Sequence, residues 1–175
     1  MIFARSLLLT LFVLGAFTGC ESGAPRLKAG DIAPPFELLT MDGDALELAD
    51  LHGQVVAVRF WADWCPYCRS EMIALEPVYR RLHGEGLEIL AVNVAQERAT
   101  VVNFMKMLDV SYPALMDETS EVARLYGVIG LPMTVFVDRA GRVRGKILGE
   151  SDASSFETMA RSLLSESEST TGTHP

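Results

Sequence analysis

Val55 to Phe60 is a short apolar run rich in β-branched residues, the pattern of a strand buried on both faces. It continues directly into Trp61-Ala62-Asp63-Trp64-Cys65-Pro66-Tyr67-Cys68. Beyond that, apolar residues recur at Met72, Leu75, Val78, Tyr79 and Leu82, close to the 3.6-residue period of a helix. A strand that meets a helix at a Cys-x-x-Cys pair constrains this chain more than any other feature. Positions i and i+3 of a helix share a face, with Cβ atoms about 5–6 Å apart. A disulfide needs about 3.5–4.5 Å, so a small adjustment of the first turn lets the two cysteines close. The free N–H groups and dipole of the helix N-terminus favour a thiolate on the first cysteine, Cys65. A thiolate is the form that attacks other disulfides. Pro77 is expected to kink the helix, and His83-Gly84-Glu85-Gly86 to stop it.

Two other uses of Cys-x-x-Cys stay open at this point, half of a zinc site and an inert structural disulfide. A four-ligand zinc site needs two more Cys or His ligands at suitable spacing. The chain has three cysteines and three histidines, and Cys20, His52, His83 and His174 are scattered singly. No metal and no cofactor are therefore expected. Three cysteines are also too few for a disulfide-stapled scaffold. A net charge of −8 argues against nucleic acid, which asks for clustered Lys and Arg. The 175 residues, 49% of them hydrophobic, allow one domain with a sizeable core plus tails.

Residues 1–19 read as a signal peptide, with Arg5 as the positive region and Ser6 to Phe17 as the apolar one. At about 12 residues this run is shorter than the roughly 20 a membrane span needs. It ends in Phe17-Thr18-Gly19-Cys20, which resembles a bacterial lipoprotein signal. That resemblance implies lipidation of Cys20, although Phe17 stands where the pattern usually has Leu. Ordinary cleavage and an uncleaved anchor are the other outcomes. Glu21, where Asp would retain a Gram-negative lipoprotein in the inner membrane, points to the outer one. Residues 20–30 read as a tether, 31–165 as the folded domain and 166–175, rich in Ser, Thr and Glu, as a disordered tail. The domain is expected outside the cytoplasm, in the periplasm or on an extracytoplasmic membrane face, where disulfides persist.

Within the domain, Phe36 to Leu39 and Ala45 to Leu48 flank Asp42-Gly43 as a hairpin. Asp50 to Gly53 reads as a turn or short helix, with His52 solvated. Glu88 to Val94 reads as a second buried strand. Ala99 to Leu108 is a helix with Val101, Val102, Met105 and Leu108 inward, and Phe104 and the methionines belong to the core. Pro113 to Met116 is extended. Ser120 to Tyr126 is a helix capped by Ser120 or Thr119 and ended by Gly127. Thr134 to Val137 and Arg142 to Leu148 form a hairpin. Ser151 to Leu164 is an amphipathic helix with Phe156, Met159, Ala160, Leu163 and Leu164 inward. Arg59 interrupts the first buried run. The mostly exposed habit of arginine favours an outward-facing strand residue; the alternative places it under the helix, paired with Glu71. The alternation of strands and helices, closed by a hairpin and a helix, implies an α/β fold with a central mixed sheet covered on both faces.

The sequence resembles the TlpA/ResA-like branch of exported thioredoxin-fold proteins over about residues 29–165. Four stretches carry the resemblance: Gly30-Asp31-Ile32-Ala33-Pro34-Pro35-Phe36, Phe60 to Cys68, Ala91-Val92-Asn93-Val94 with the helix after it, and Gly130-Leu131-Pro132-Met133-Thr134. It implies a thioredoxin fold with an N-terminal β-hairpin and a central insertion, and a thiol-disulfide oxidoreductase. Cys65 matches the nucleophile and Cys68 the resolving cysteine. Pro132 matches a cis-proline facing the cysteines, which leaves the backbone of Leu131 to pair with an extended substrate segment. Trp61 and Trp64 match the aromatic surround, and Trp64, Pro66, Tyr67, Leu131 and Pro132 the substrate-binding surface. Glu71 matches an active-site acid able to move protons and tune thiols. A solvated helix residue is the plainer alternative for it.

The sequence departs from the branch in Pro66-Tyr67, nearer a glutaredoxin dipeptide, in Ile73 for the frequent proline, and in Leu131 before the cis-proline. The resemblance implies a lipid-anchored monomer that reduces disulfides of exported proteins, with apocytochrome c as a substrate in cytochrome c maturation. A membrane electron donor of the DsbD/CcdA type would recharge it. The alternatives are a disulfide oxidase or isomerase of the same fold, a metal-binding or copper-delivery protein, and a thiol peroxidase. Copper-delivery relatives usually have wider cysteine spacing and a partner histidine. Peroxiredoxins share the opening segment, but their reactive cysteine follows Pro-x-x-x-Thr-x-x, whereas Arg-Phe-Trp-Ala-Asp-Trp precedes Cys65.

Overall fold

The strand in front of the cysteines has no solvent face. In the computed structural model, which describes residues 27–166, every residue of Val55–Trp61 is buried. In chain order the strands are β1 (Glu37–Thr40), β2 (Ala45–Glu47), β3 (Val55–Trp61), β4 (Leu87–Val94), β5 (Ala114–Asp117), β6 (Met133–Val137) and β7 (Val143–Leu148). The helices are α1 (Cys68–Leu82), α2 (Arg98–Leu108), α3 (Glu121–Leu125) and α4 (Ala153–Glu166). The strands form one sheet in the order β2-β1-β5-β4-β3-β6-β7. β3 pairs parallel with β4 and antiparallel with β6, and β4 pairs parallel with β5. The β1–β2 hairpin joins antiparallel through β1 to β5. The expected mixed sheet, N-terminal hairpin and insertion (α2 and β5) are all present.

Alternation along β3 sorts the core into two layers, because successive strand residues point to opposite faces. Val55, Ala57 and Trp61 meet α1, α2 and α4 on one face. Val56, Val58 and Phe60 meet α3, Phe36 and Tyr126 on the other. Met72, Leu75, Val78, Tyr79 and Leu82 of α1 are buried as the periodicity predicts, and so are Phe156, Ala160, Leu163 and Leu164 of α4, with Met159 half-buried.

Several local expectations change. The helix of the Cys-x-x-Cys begins at Cys68, not Cys65, and it continues through Pro77 to Leu82. β2 stops at Glu47, and Leu48 opens a 3-10 turn. On α2, Phe104 is buried as expected, but Val102 is only half-buried and Met107 faces solvent. Neither Ser120 nor Thr119 caps α3. Ser120 has φ +58° and makes no side-chain cap bond, while the buried Asp117 carboxylate accepts the amides of Val122 and Ala123 at 3.3 and 2.8 Å. The cap comes from the preceding strand, outside the window in which a sequence pattern looks for it. The signal peptide, Cys20, most of the tether, His174 and the tail beyond Glu166 lie outside the described residues.

Glu76 ties α1 to the segment before β5. It is buried, and its carboxylate accepts the Ser111 amide and hydroxyl, each at 2.8 Å, and Arg80 Nε at 2.5 Å. Burial opposes the charge, but the bonds from Ser111 and Arg80 outweigh it and hold the carboxyl below its usual value of 4.5. A depressed folded-state pKa contributes stability that is present above the unfolded pKa and lost as pH falls through the folded one. Glu76→Gln should therefore flatten the acid limb of stability below about pH 5. Urea denaturation as a function of pH checks this; equal pH slopes in the two proteins would contradict it.

Candidate active site

The end of β3 delivers the chain into a tight turn. Cys65 N–H donates to the Ala62 carbonyl at 3.2 Å, and Cys68 N–H to the Cys65 carbonyl at 3.3 Å. Cys65 and Cys68 are joined as a disulfide with Cα atoms 5.4 Å apart, and both are buried. Cys68 is the first residue of α1 and Tyr67 its N-cap, so Cys65 stands just ahead of the helix N-terminus. Trp64 (68% exposed) and Tyr67 (47%) stand out on either side of Cys65.

The Leu131–Pro132 bond is cis. Met133, directly after it, pairs with Phe60 at the end of β3, so the Leu131-Pro132 segment and the cysteine turn lie at the same end of the sheet. The Pro132 carbonyl accepts the Gly149 amide at 2.8 Å. Leu131 is half-buried. Beside it, Ile129 is 81% exposed and Leu148 54%, which extends the apolar rim away from the cysteines.

Trp61 packs in the same core cluster as Cys65 and Cys68, inside the fold. It is fully buried and stacks on Phe104, ring centroids 4.9 Å apart. Its parity along β3 sends it under α2, whereas Trp64 belongs to the turn.

Arg59 is not outward-facing. It is 1% exposed, and β3 parity points it to the α1 side with Ala57 and Trp61. The sheet interior offers no outward face, so the usual habit of arginine gives way to a buried ion pair. Arg59 Nη2 donates to Glu71 Oε2, and Nη1 to Thr134 Oγ1 at 3.1 Å. Glu71, 6% exposed, is likewise not a solvated helix residue. Its other oxygen, Oε1, accepts the amide of Ser151. The Arg59–Glu71 pair thereby joins α1, β3, β6 and the segment entering α4. Nearby, Tyr112 donates its hydroxyl to the Met72 carbonyl at 2.7 Å. Burial pushes the Tyr112 phenol up, and the Arg59 charge opposes that rise.

A second brace holds the turn from the β4 side. Gln96 Oε1 accepts the Asp63 amide at 2.9 Å and Asn93 Nδ2 at 2.8 Å, while Gln96 Nε2 donates to Asp63 Oδ1 at 2.5 Å. Thr134, Ser151, Tyr112 and Gln96 carry no signal in the sequence, because strand pairing and loop packing alone bring them in. Only the charge of Arg59 inside an apolar run marked its neighbourhood. Among the described residues there is no group of three or more His, Cys, Asp or Glu placed to hold a metal ion.

The AhpC/TSA family matches residues 29–146. The chain belongs to that family. Thiol-disulfide oxidoreductase ResA of Bacillus cereus is 31% identical over 147 residues, covering 84% of this chain and 85% of that protein. The ResA of Bacillus subtilis is 33% identical over 145 residues, covering 82% and 81%. A crystal structure from Chlorobium tepidum, described as a DsbE thiol:disulfide interchange protein, superposes with a TM-score of 0.75 at 29% identity, covering 79% of this chain and 99% of that one. The fold is thioredoxin-like, and the chain is a thiol-disulfide oxidoreductase of the ResA/DsbE type with a Cys-x-x-Cys pair at 65 and 68.

Removing one partner of a buried ion pair leaves the other charge uncompensated, at a cost of about 3–5 kcal/mol. Arg59→Ala should lower unfolding stability by that order. A loss well under about 1 kcal/mol in chemical denaturation, the range of exposed pairs, would mean that the pair is solvated.

Proposed function

We propose that the chain is a reductase of disulfides in exported proteins, tethered to a membrane through a lipid on Cys20. The observation that carries the reading is the Cys65–Cys68 disulfide at the head of α1, with exposed Trp64 and Tyr67 beside it and the cis Leu131–Pro132 bond at the same end of the sheet. The likeness, over 82–84% of the chain, to proteins named thiol-disulfide oxidoreductase supports it.

In the reduced enzyme the Cys65 thiolate attacks one sulfur of the substrate disulfide. An S–S bond forms between Cys65 and substrate, and the other substrate sulfur leaves as a thiolate. Cys68 then attacks Cys65 Sγ, closes the Cys65–Cys68 bond and expels the second substrate sulfur. Two electrons pass to the substrate, and the pair must be recharged by a dithiol donor, here a membrane carrier of the DsbD/CcdA type. The electrons reside in the cysteine pair, so the reaction requires neither cofactor nor metal. Trp64, Pro66, Tyr67, Leu131 and Pro132 form the docking surface, where the Leu131 backbone pairs with an extended segment around the substrate cysteine. Glu71 tunes the thiols. The enzyme acts as a monomer, and apocytochrome c, whose haem-binding cysteines must be reduced, is the proposed substrate. Among the described residues no helix is long and apolar enough to cross a membrane; the tether reading rests on the signal-like sequence ending at Cys20.

Cys65→Ser should abolish reduction of a disulfide substrate, and Cys68→Ser should accumulate a mixed disulfide visible on a non-reducing gel. A Cys68→Ser protein that traps nothing would overturn the assigned order of attack. The reduction potential of the full chain tests the direction of flow. A value near −270 mV, about that of thioredoxin, supports a reductase; one near −120 mV would make the protein an oxidant.

A further inference from the structure

Glu71 and Arg59 are a carboxylate and a guanidinium in a layer that is otherwise largely apolar. Glu71 lies one helical turn beyond Cys68 on the same buried face of α1. Alone, a buried carboxylate there would repel a thiolate on Cys68. Arg59 changes that. A guanidinium stays charged over the whole working pH range. It is anchored through Thr134, its partner across β3 and β6. With Ser151 N–H on Oε1 and Arg59 on Oε2, both oxygens of Glu71 are engaged.

The other groups around the pair leave this balance intact. α1 contributes Cys68, β6 the Thr134 hydroxyl, and the segment entering α4 the Ser151 amide, with Asp152 turned to solvent and bonded to Ser154 and Ser155. The segment before β5 brings Tyr112, whose hydroxyl is given to the Met72 carbonyl.

We propose that Arg59 is a positioning residue for the dithiol: its guanidinium holds the Glu71 carboxylate, so that a charge-balanced pair, rather than a lone carboxylate, lies one helical turn from Cys68 on the buried face of α1. The proposal rests on the redox role given above to Cys65 and Cys68. Arg59 thereby offsets the Glu71 charge felt by the thiols without touching substrate.

The test is the pH dependence of iodoacetamide alkylation of the reduced full-length chain. Glu71→Gln leaves the Arg59 charge uncompensated and should lower the midpoint of the thiol titration by about one unit, a tenfold gain in thiolate below the midpoint. Arg59→Gln/Glu71→Gln removes both charges and should return the midpoint to the wild-type value. Arg59→Lys, which keeps the charge, should leave it there. If the double variant does not fold, Arg59→Met/Glu71→Leu repeats that arm with an apolar pair of the kind that buried cores accept. Equal midpoints in Glu71→Gln and the charge-free variants would show that the Arg59 charge does not reach the thiols. An unshifted midpoint in Glu71→Gln would show that Glu71 is not a charge beneath them. A merely structural role would change melting temperature and leave the midpoints alone. Because thiol ionisation is read directly, an oxidising potential would overturn the proposed direction of flow and leave this proposal standing. A wild-type chain with no reactive thiol titration would instead remove the redox reading itself.

Discussion

A buried cation must find a buried partner, and the placement of Arg59 in the central strand imposes that condition on this fold. The cost of taking two charges out of water is recovered only when geometry and additional hydrogen bonds satisfy both. Here the bonds come from four elements, and only Arg59 Nε among the atoms of the pair is buried without a partner. β3 supplies the guanidinium, α1 the carboxylate, β6 the Thr134 hydroxyl and the entry to α4 the Ser151 amide. The helix that begins at Cys68 is thereby held by charge as well as by the apolar side chains of its inner face.

The same strand explains why the redox pair sits where it does. β3 is buried on both faces and ends in the cysteine turn, so its pairing with β4 and β6 fixes the height of Cys65 above the sheet. β6 begins immediately after the cis Leu131–Pro132 bond, and its register with β3 brings that segment to the same edge. Asp63 is braced from β4 through Gln96 and Asn93. The cysteines are thus carried on a braced frame, while Trp64, Tyr67, Ile129 and Leu148 are exposed.

The elements were legible where local pattern and burial agree. The run Val55–Phe60 read as a buried strand, and the inward faces of α1 and α4 followed from their period. The sequence also contained the Cys-x-x-Cys and the Leu-Pro step. Legibility failed where a partner lies outside the local pattern. The α3 cap is Asp117 rather than the adjacent Ser120 because the end of β5 happens to overhang the helix. Trp61 and Trp64 look alike in sequence, yet strand parity buries one and the turn exposes the other.

The sequence by itself determined the order of strands and helices, the redox-capable pair at Cys65 and Cys68, and the presence of an odd charge at Arg59. These are properties of spacing and residue type, which act over one or two turns of chain. Only the tertiary structure decided what Arg59 and Glu71 do. Twelve positions separate them, and 75 separate Arg59 from Thr134. Their meeting depends on strand register and on the packing of α1 over the sheet. Burial then turned two charges, each of which solvent would otherwise have taken, into a pair beneath the active site.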